Sequence, residues 1–245
     1  MPRYKITIEY DGNGLAGWQR QDDQPSVQQH IETALEKFSG EKAPVFAAGR
    51  TDAGVHACGQ AAHFDLVKEF PPRQIRDGIN FHIKPAAISV LSAEEVPDDF
   101  HARFSAKKRY YRYRIINRIS PLTIDRDYAW HIKENLDEKA MHEAAQILVG
   151  NHDFTSFRAS ECQAKSPVKT IDEISVLRTG EEVFIGVSAL SFLHHMVRNI
   201  TGTLRLVGSG KWSADDLKNA LLAKDRSMGG STAPAHGLYF MRVEY

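Results

Sequence analysis

The chain carries the same order of predicted elements twice (strand, helix, strands), and this repetition limits its fold more than any other feature. In the first half, residues 4–12 alternate apolar and polar side chains and end in Asp-Gly, as a half-buried strand does. A helix follows, with Ser26 at the N-cap, Gln29 at the capping-box position and Gly40 at its end. The rest of this half is predicted as strand 61–66, a Pro-led helix 71–80 and strand 87–96.

The second half repeats this order. Its segments are strand 107–116, helix 135–150, a hairpin over 170–189 that turns at Thr-Gly, helices 191–210 and 212–223, and a closing strand 237–245. Ser213 caps the last helix, with Asp216 three residues on. Hairpins with helices on one side predict an α+β fold with a mostly antiparallel sheet. We expect two halves, residues 1–100 and 101–245, with a hinge near 97–107.

Composition indicates an ordinary soluble protein. Of 245 residues, 42% are hydrophobic and 25% charged. The apolar runs are too short to cross a bilayer, and the charged N-terminus does not resemble a signal peptide. We therefore expect a cytoplasmic protein with no membrane contact. The two cysteines, Cys58 and Cys162, form no CxxC pair, so no zinc site is expected.

One basic segment stands out in a chain of zero net charge. Residues 103–118 contain seven Lys and Arg and no acidic residue, whereas both flanks are acidic. The strand periodicity puts two sets of side chains on opposite faces. These sets are Tyr110, Arg112, Arg114 and Ile116, and Arg109, Tyr111, Tyr113 and Ile115. Arginine interleaved with tyrosine suits RNA, but an edge strand protected by its charges fits equally well at this point.

The predicted helix 191–210 has an apolar stripe and a contrasting face. The stripe contains Leu193, Met196, Val197, Ile200, Leu204 and Val207. Arg198 leaves this stripe, and Gly202 permits close packing or a ligand. His194 and His195 would point about 100° apart on a helix, which argues against a shared metal ion. No carboxylate lies one turn away to complete a metal site, so no metal is expected. Glycine-rich nucleotide-binding patterns are also absent from the sequence, so no nucleotide cofactor is expected.

The segment AAGRTDAGVHACGQ, residues 47–60, raises the question of what its lone carboxylate does. A turn accounts for Asp52 and Gly54 but not for Arg50 or His56. An opposite charge nearby favours the ionised form of a carboxylate, which can then attack carbon or take a proton. No convincing second carboxylate appears for a glycosidase-type site.

Five segments, in order, resemble motifs of the TruA-type tRNA pseudouridine synthases, and the resemblance covers nearly the whole chain. They are GRTDAGVHA, DFHARFSAKKRYYRYRI, FRASECQAKSPVKTI, SFLHHMVRNITGTL and APAHGLYF. The resemblance implies isomerisation of uridine to pseudouridine at positions 38, 39 and 40 of the tRNA anticodon stem-loop, with base flipping and without metal or cofactor. It implies two RRM- or ferredoxin-like halves around a central catalytic cleft, and a homodimer that grips tRNA.

The resemblance also implies roles for particular residues. Asp52 would be the catalytic carboxylate and Arg198 its ion-pair partner. Tyr111 would stack on the target uracil, and Arg50 would help to displace the base. Two further segments would touch RNA, namely Phe100, His101, Ala102, Arg103 and Phe104, and Glu161, Cys162, Gln163, Ala164 and Lys165.

Several alternatives stay open at this stage. Tyr110 stands where the family more often has threonine or arginine, so either Tyr110 or Tyr111 could face the cleft, but not both. Asp52 could attack the sugar, attack the base or remove a proton. The chain could instead be a catalytically silent RNA-binding protein that presents Tyr111 and Tyr113, or a related synthase with other RNA targets.

Overall fold

The computed structural model describes residues 1–21 and 23–245 and divides them into two compact units. The first unit contains Met1–Lys107 together with Phe240–Tyr245, and the second contains Lys108–Tyr239. The last strand of the chain, β10 (Leu238–Glu244), therefore begins in the second unit and contributes most of its residues to the first.

The first unit is an antiparallel sheet with two helices. Its elements in chain order are β1 (Arg3–Tyr10), α1 (Val27–Ser39), β2 (Phe46–Ala47), β3 (His56–Asp65), α2 (Pro72–His82) and β4 (Ile88–Val96). The strands lie in the order β4, β1, β3, β10, and β2 adds a short antiparallel pairing to β3. The two helices contact each other, and α2 also contacts β4.

Local sequence signals account for β1 and α1. Tyr4, Ile6, Ile8 and Tyr10 alternate along β1, and all four are buried. The Ser26 hydroxyl accepts a hydrogen bond from the backbone N–H of Gln29, which caps α1. Gly40 adopts the left-handed conformation with φ of 76° and ends the helix.

The second unit contains five complete strands and three α-helices among the described residues. Its elements are β5 (Lys108–Asn117), β6 (Trp130–Ile132), α3 (Glu138–Ala145), β7 (Gly150–Asp153), β8 (Val168–Thr179), β9 (Glu182–Ala189), α4 (Met196–Gly208) and α5 (Ala214–Ala223). The strands lie in the order β5, β9, β8, β7, with antiparallel pairs, and β6 runs parallel to β5. Helix α3 packs on β8 and against α4.

These elements confirm the predicted α+β class, the mostly antiparallel pairing and the repeated order in the two halves. The hairpin of β8 and β9 turns at Gly180, which has φ of 59°. Ser213 and Asp216 form the predicted reciprocal capping box at the start of α5. Among the described residues, no helix is both long enough and apolar enough to cross a membrane.

Two helix predictions were wrong in length. The predicted helix 191–210 begins only at Met196, because His195 has φ of 60° and a left-handed residue cannot continue a right-handed helix. The predicted helix 135–150 is α-helical only over Glu138–Ala145, then tightens into a 3₁₀ turn (Gln146–Leu148) before β7.

Ser213→Ala is expected to destabilise the second unit by about 1 kcal/mol, because it removes both hydroxyl bonds of the capping box. Urea unfolding measures the change. Ser227→Ala is the matched control, since Ser227 is exposed and caps no α-helix. Equal midpoints for the two variants would contradict the assigned role of the capping box.

Candidate functional site

Three hydrogen bonds, two of them to backbone carbonyls, hold the loop that contains Asp52. The Thr51 carbonyl accepts from the backbone N–H of Trp18 at 3.0 Å. The Thr51 hydroxyl is 2.7 Å from the hydroxyl of Tyr10, and burial raises the pKa of that tyrosine to about 12. The buried Gln60 side chain donates to the Gly49 carbonyl at 2.7 Å. The loop is therefore part of the folded framework and not a free surface turn.

Close backbone contact adds to these bonds. A Cβ on Gly17 would lie 2.4 Å from the Thr51 carbonyl oxygen, and one on Gly12 would lie 2.3 Å from the Val55 carbonyl oxygen. Only glycine fits at such distances. Gly54 makes the turn itself, with φ of 78°. The turn that the sequence predicted is present, and the segment around Gly12 and Gly17 packs against it.

His56 has a structural role that the sequence did not indicate. It is buried at the start of β3, and its Nδ1 accepts a hydrogen bond from the backbone N–H of Gly12 at 3.0 Å. The same nitrogen lies 3.1 Å from a carboxylate oxygen of Asp11. The two charged residues that precede His56 on this loop differ in exposure. Asp52 is half-buried, whereas Arg50 is exposed.

In the second unit, Tyr111 lies on the covered face of β5. It shares this face with Tyr113 and Ile115, which are fully buried, and its ring meets Phe192 edge-on at 5.0 Å. Tyr110 lies on the opposite face with the exposed Arg112. The two adjacent tyrosines therefore face different surroundings.

Arg198 lies near the first turn of α4 and is anchored to the chain segment 225–237. Its Nε donates to the Ala233 carbonyl at 2.8 Å, and its own carbonyl accepts from the Ala233 N–H at 3.1 Å. Tyr113 donates its hydroxyl to the next carbonyl, that of Pro234, at 2.7 Å. Consecutive carbonyls thus hold Arg198 and Tyr113, which brings Arg198 to the face of β5 that carries Tyr111.

A buried amide organises the surroundings of Arg198. Asn199 donates to the Phe157 carbonyl at 2.9 Å and accepts from Thr232 at 2.7 Å and from Arg226 at 3.1 Å. A Cβ on Gly202 would lie 1.7 Å from the Ser231 carbonyl oxygen, so segment 225–234 rests directly on α4. The close approach predicted at Gly202 is to the protein's own backbone.

The segment Phe100–Phe104 divides into inward and outward residues. Ala102 is fully buried and its N–H donates to His63 at 3.2 Å, while the Phe100 ring packs against Tyr245 at 4.8 Å. Arg103 and Phe104 are exposed, and His101 is intermediate. Of the five predicted RNA-contact residues here, Ala102 thus faces the unit's interior, and Phe100 is half-buried against Tyr245.

The second predicted RNA-contact segment, 161–165, lies after the 3₁₀ turn Thr155–Phe157. Glu161, Gln163 and Lys165 are exposed, whereas Cys162 and Ala164 are intermediate. The bond from Asn199 to the Phe157 carbonyl ties the base of this segment to α4.

The helix-based argument about His194 and His195 was wrong in its premise. Both residues precede α4, and their rings lie 4.0 Å apart at a tilt of 40°. The expected absence of a metal therefore no longer rests on helical geometry and stays a prediction.

Sequence reasoning missed the residues that hold the site segments. Gly12 and Gly17 support the Asp52 loop, and Asn199 with Arg226 supports α4. Two signals were available. One was a pair of glycines in an otherwise structureless segment, and the other was an asparagine among apolar helix positions.

One known protein family matches most of this chain. The family model described as "tRNA pseudouridine synthase" matches residues 6–105 and 144–245. Proteins named tRNA pseudouridine synthase A align along the whole chain. The relative from Maricaulis maris is 57% identical over 100% of this chain and 98% of its own length. The relative from Parvibaculum lavamentivorans is 55% identical over 100% of both chains.

Gly202→Ala is expected to destabilise the protein by at least about 2 kcal/mol, because the new Cβ would collide with the Ser231 backbone. Chemical denaturation provides the measurement. In the control Gly186→Ala, the Cβ meets only the Ser175 hydroxyl at 3.0 Å, and we expect a change below about 1 kcal/mol. A Gly202→Ala protein as stable as the control would show that segment 225–234 does not rest on α4.

His63 is expected to make stability depend on pH. Burial, together with the positive charges of His101 and Arg3, lowers its pKa from 6.5 to about 4. Between these values the unfolded chain binds a proton that the folded chain does not, so stability falls as pH decreases from 6.5 towards 4. Protonation also removes the acceptor for the Ala102 N–H.

Urea midpoints of the wild type and of His63→Gln at about pH 7 and about pH 5 test this linkage. The glutamine keeps an acceptor but does not titrate, so its midpoint is expected to change less between the two pH values. The same pH dependence in both proteins would exclude His63 as its source.

Proposed function

The chain belongs to the tRNA pseudouridine synthase family, and on that premise we propose that it isomerises uridine to pseudouridine in the anticodon stem-loop of tRNA, at positions 38, 39 and 40. Membership of this family identifies the chain as an isomerase that acts on tRNA. The anticodon site and the residues that perform the reaction are our proposal. The observation that carries it is the half-buried Asp52, which lies on a loop whose Gly49 and Thr51 carbonyls accept hydrogen bonds from Gln60 and Trp18.

The rigidity of this loop supports Asp52 as the catalytic carboxylate. Attack on carbon and removal of a proton both require a carboxylate at a fixed position. The close contacts of Gly12 and Gly17 with the backbone fix the chain on either side of Asp52. The proposal leaves open whether Asp52 attacks the sugar, attacks the base or takes a proton, because all three steps use its ionised form.

The remaining roles follow the motif positions. Tyr111 is proposed to stack on the target uracil, and Arg198 to pair with the catalytic carboxylate. Arg50, which is exposed on the same loop as Asp52, is proposed to fill the gap left by the flipped base. A base inside a stem must leave the stack before it can react, at a cost of a few kcal/mol. An aromatic ring and a positive side chain reduce that cost.

The reaction itself explains the choice of residues. The base–sugar C–N bond breaks, the uracil turns, and the sugar bonds to C5. C5 then releases its proton to solvent and N1 gains one, so the composition of the nucleotide is unchanged. A second carboxylate that activates water would release the base. We therefore propose a site with one catalytic carboxylate and no metal or cofactor.

The wider assembly is also proposed on the basis of the family. The segments 100–104 and 161–165 would contact the tRNA, chiefly through their exposed members Arg103, Phe104, Gln163 and Lys165. The protein would act as a homodimer in the cytoplasm. The half 1–100 would supply Asp52, and the half 101–245 would supply Tyr111 and Arg198.

One observation opposes the alternative of a silent RNA-binding sheet. That alternative requires both Tyr111 and Tyr113 to reach bases. Tyr113 is fully buried, donates its hydroxyl to Pro234 and packs against Gly237. It has no surface to offer to RNA. The alternative of a synthase with other RNA targets differs in the RNA or the position that is modified.

Asp52→Asn is expected to reduce pseudouridine formation by more than about a thousandfold, because the amide can neither attack carbon nor take a proton. Binding of tRNA is expected to stay within about threefold of the wild type, since the side chains have nearly the same shape. Single-turnover release of tritium from C5-labelled uridine in tRNA measures the first effect, and filter binding the second.

Asp23→Asn is the matched control, since Asp23 is an exposed aspartate of the same unit and is expected to keep full activity. Near-wild-type turnover by Asp52→Asn would remove Asp52 from the reaction.

A further inference from the structure

Four aromatic rings form a continuous row in the first unit. The Phe46 ring stacks on His63 at 5.2 Å with an interplanar angle of 27°. His63 meets His101 at 4.5 Å, and His101 meets Phe104 at 4.4 Å. Phe46 comes from β2, His63 from β3 and the other two from segment 100–104, so three parts of the chain build this row, which we call the aromatic row.

The two central rings of the aromatic row are less exposed than the rings at its ends, and His101 is of intermediate exposure. His63 is 3% exposed, whereas Phe46 is 47% and Phe104 is 76% exposed. Leaving a large aromatic ring in water is unfavourable relative to burying it. Exposed rings that continue a buried stack therefore suggest a surface that a partner covers. Phe81, which is also strongly exposed at 72%, contacts the ring of its chain neighbour His82 and is not part of this row.

The fold holds the aromatic row in place before any partner binds. His63 Nδ1 accepts the Ala102 N–H at 3.2 Å, and His101 Nδ1 accepts the Arg103 N–H at 3.1 Å. Arg3 donates to the carbonyls of Asp98 and Phe100, and forms a two-bond ion pair with Asp65. Ordering these rings therefore needs little further entropy loss when they bind a partner.

Charge at the exposed end favours an anionic partner. The Arg103 guanidinium lies 5.7 Å from the centre of the Phe104 ring, and both side chains are exposed. Asp65, the acidic neighbour of His63 on β3, is neutralised by Arg3. A flat ring beside a guanidinium fits an unpaired nucleobase and its phosphate, since base stacking is worth about 1–3 kcal/mol per base.

We propose that the aromatic row is a stacking platform for an unpaired nucleobase of the bound tRNA, with Phe104 and Phe46 as contact rings and Arg103 on the adjoining phosphate. The inference rests on the proposed function only in taking tRNA as the partner. It adds Phe46 to the RNA surface, and it assigns Phe100 and Ala102 to support instead of contact. It requires no part in the isomerisation.

Binding of full-length tRNA to purified protein at a series of salt concentrations tests the proposal. Phe104→Ala and Phe46→Ala are expected to raise Kd by about 5- to 100-fold at every salt concentration, with the slope of log K against log salt unchanged, because stacking releases no counterions. Phe104→Trp, which restores a ring, is expected to bind like the wild type. Arg103→Gln is expected to weaken binding and reduce the slope by about one.

Phe81→Ala is the matched control and is expected to bind tRNA like the wild type. Urea midpoints for all variants establish that each one is folded. The proposal is overturned if folded Phe104→Ala binds tRNA as tightly as Phe81→Ala. It is also overturned if Phe104→Ala changes sedimentation from dimer to monomer, since the ring would then be a subunit contact.

The outcome is separable from that of the proposed function. A protein that binds tRNA through Phe104 but forms no pseudouridine at positions 38–40 would support the platform and refute the substrate assignment. If the protein modifies those positions and the Phe104→Ala variant binds tRNA as tightly as the wild type, the substrate assignment is supported and the platform is refuted.

Discussion

Close approach of backbone to backbone at glycine is the constraint on which both proposed catalytic segments depend. In the first unit, Gly17 lies against the Thr51 carbonyl and Gly12 against that of Val55, so the chain on either side of Asp52 is fixed. In the second unit, Gly202 lies against the Ser231 carbonyl, which seats segment 225–234 on α4 beside Arg198. A methyl group at any of these positions would separate the two backbones.

This way of holding a site has a chemical consequence. Backbone carbonyls and N–H groups position the Asp52 loop and the segment beside Arg198. A preorganised charge costs no reorganisation when the reaction begins. Tyr10 and Gln60, which hold the Asp52 loop, and Asn199, which follows Arg198, are buried and hydrogen-bonded. Satisfied buried polar groups favour one conformation of the surrounding backbone.

What could be predicted from sequence was local. Ser26 and Ser213 each cap the helix that the sequence predicted. The alternation from Tyr4 to Tyr10 correctly identified the buried face of β1. Both signals act within one helical turn or one strand. The start of α4 was not predictable, because the apolar stripe continues through Leu193 while the backbone breaks at His195. The supports of the Asp52 loop were missed because Gly17 and Thr51 are distant in sequence. Periodicity separated Tyr110 from Tyr111 but could not say which face the rest of the unit would cover.

The central claim is that this chain forms pseudouridine in the anticodon arm of tRNA. Carbodiimide-dependent primer extension on unmodified tRNA transcripts, before and after incubation with the purified protein, tests it most directly. The account predicts new stops that report pseudouridine at positions 38, 39 and 40 wherever uridine occupies them, without added metal or cofactor. New stops confined to other positions, or none at all with folded protein, would contradict it.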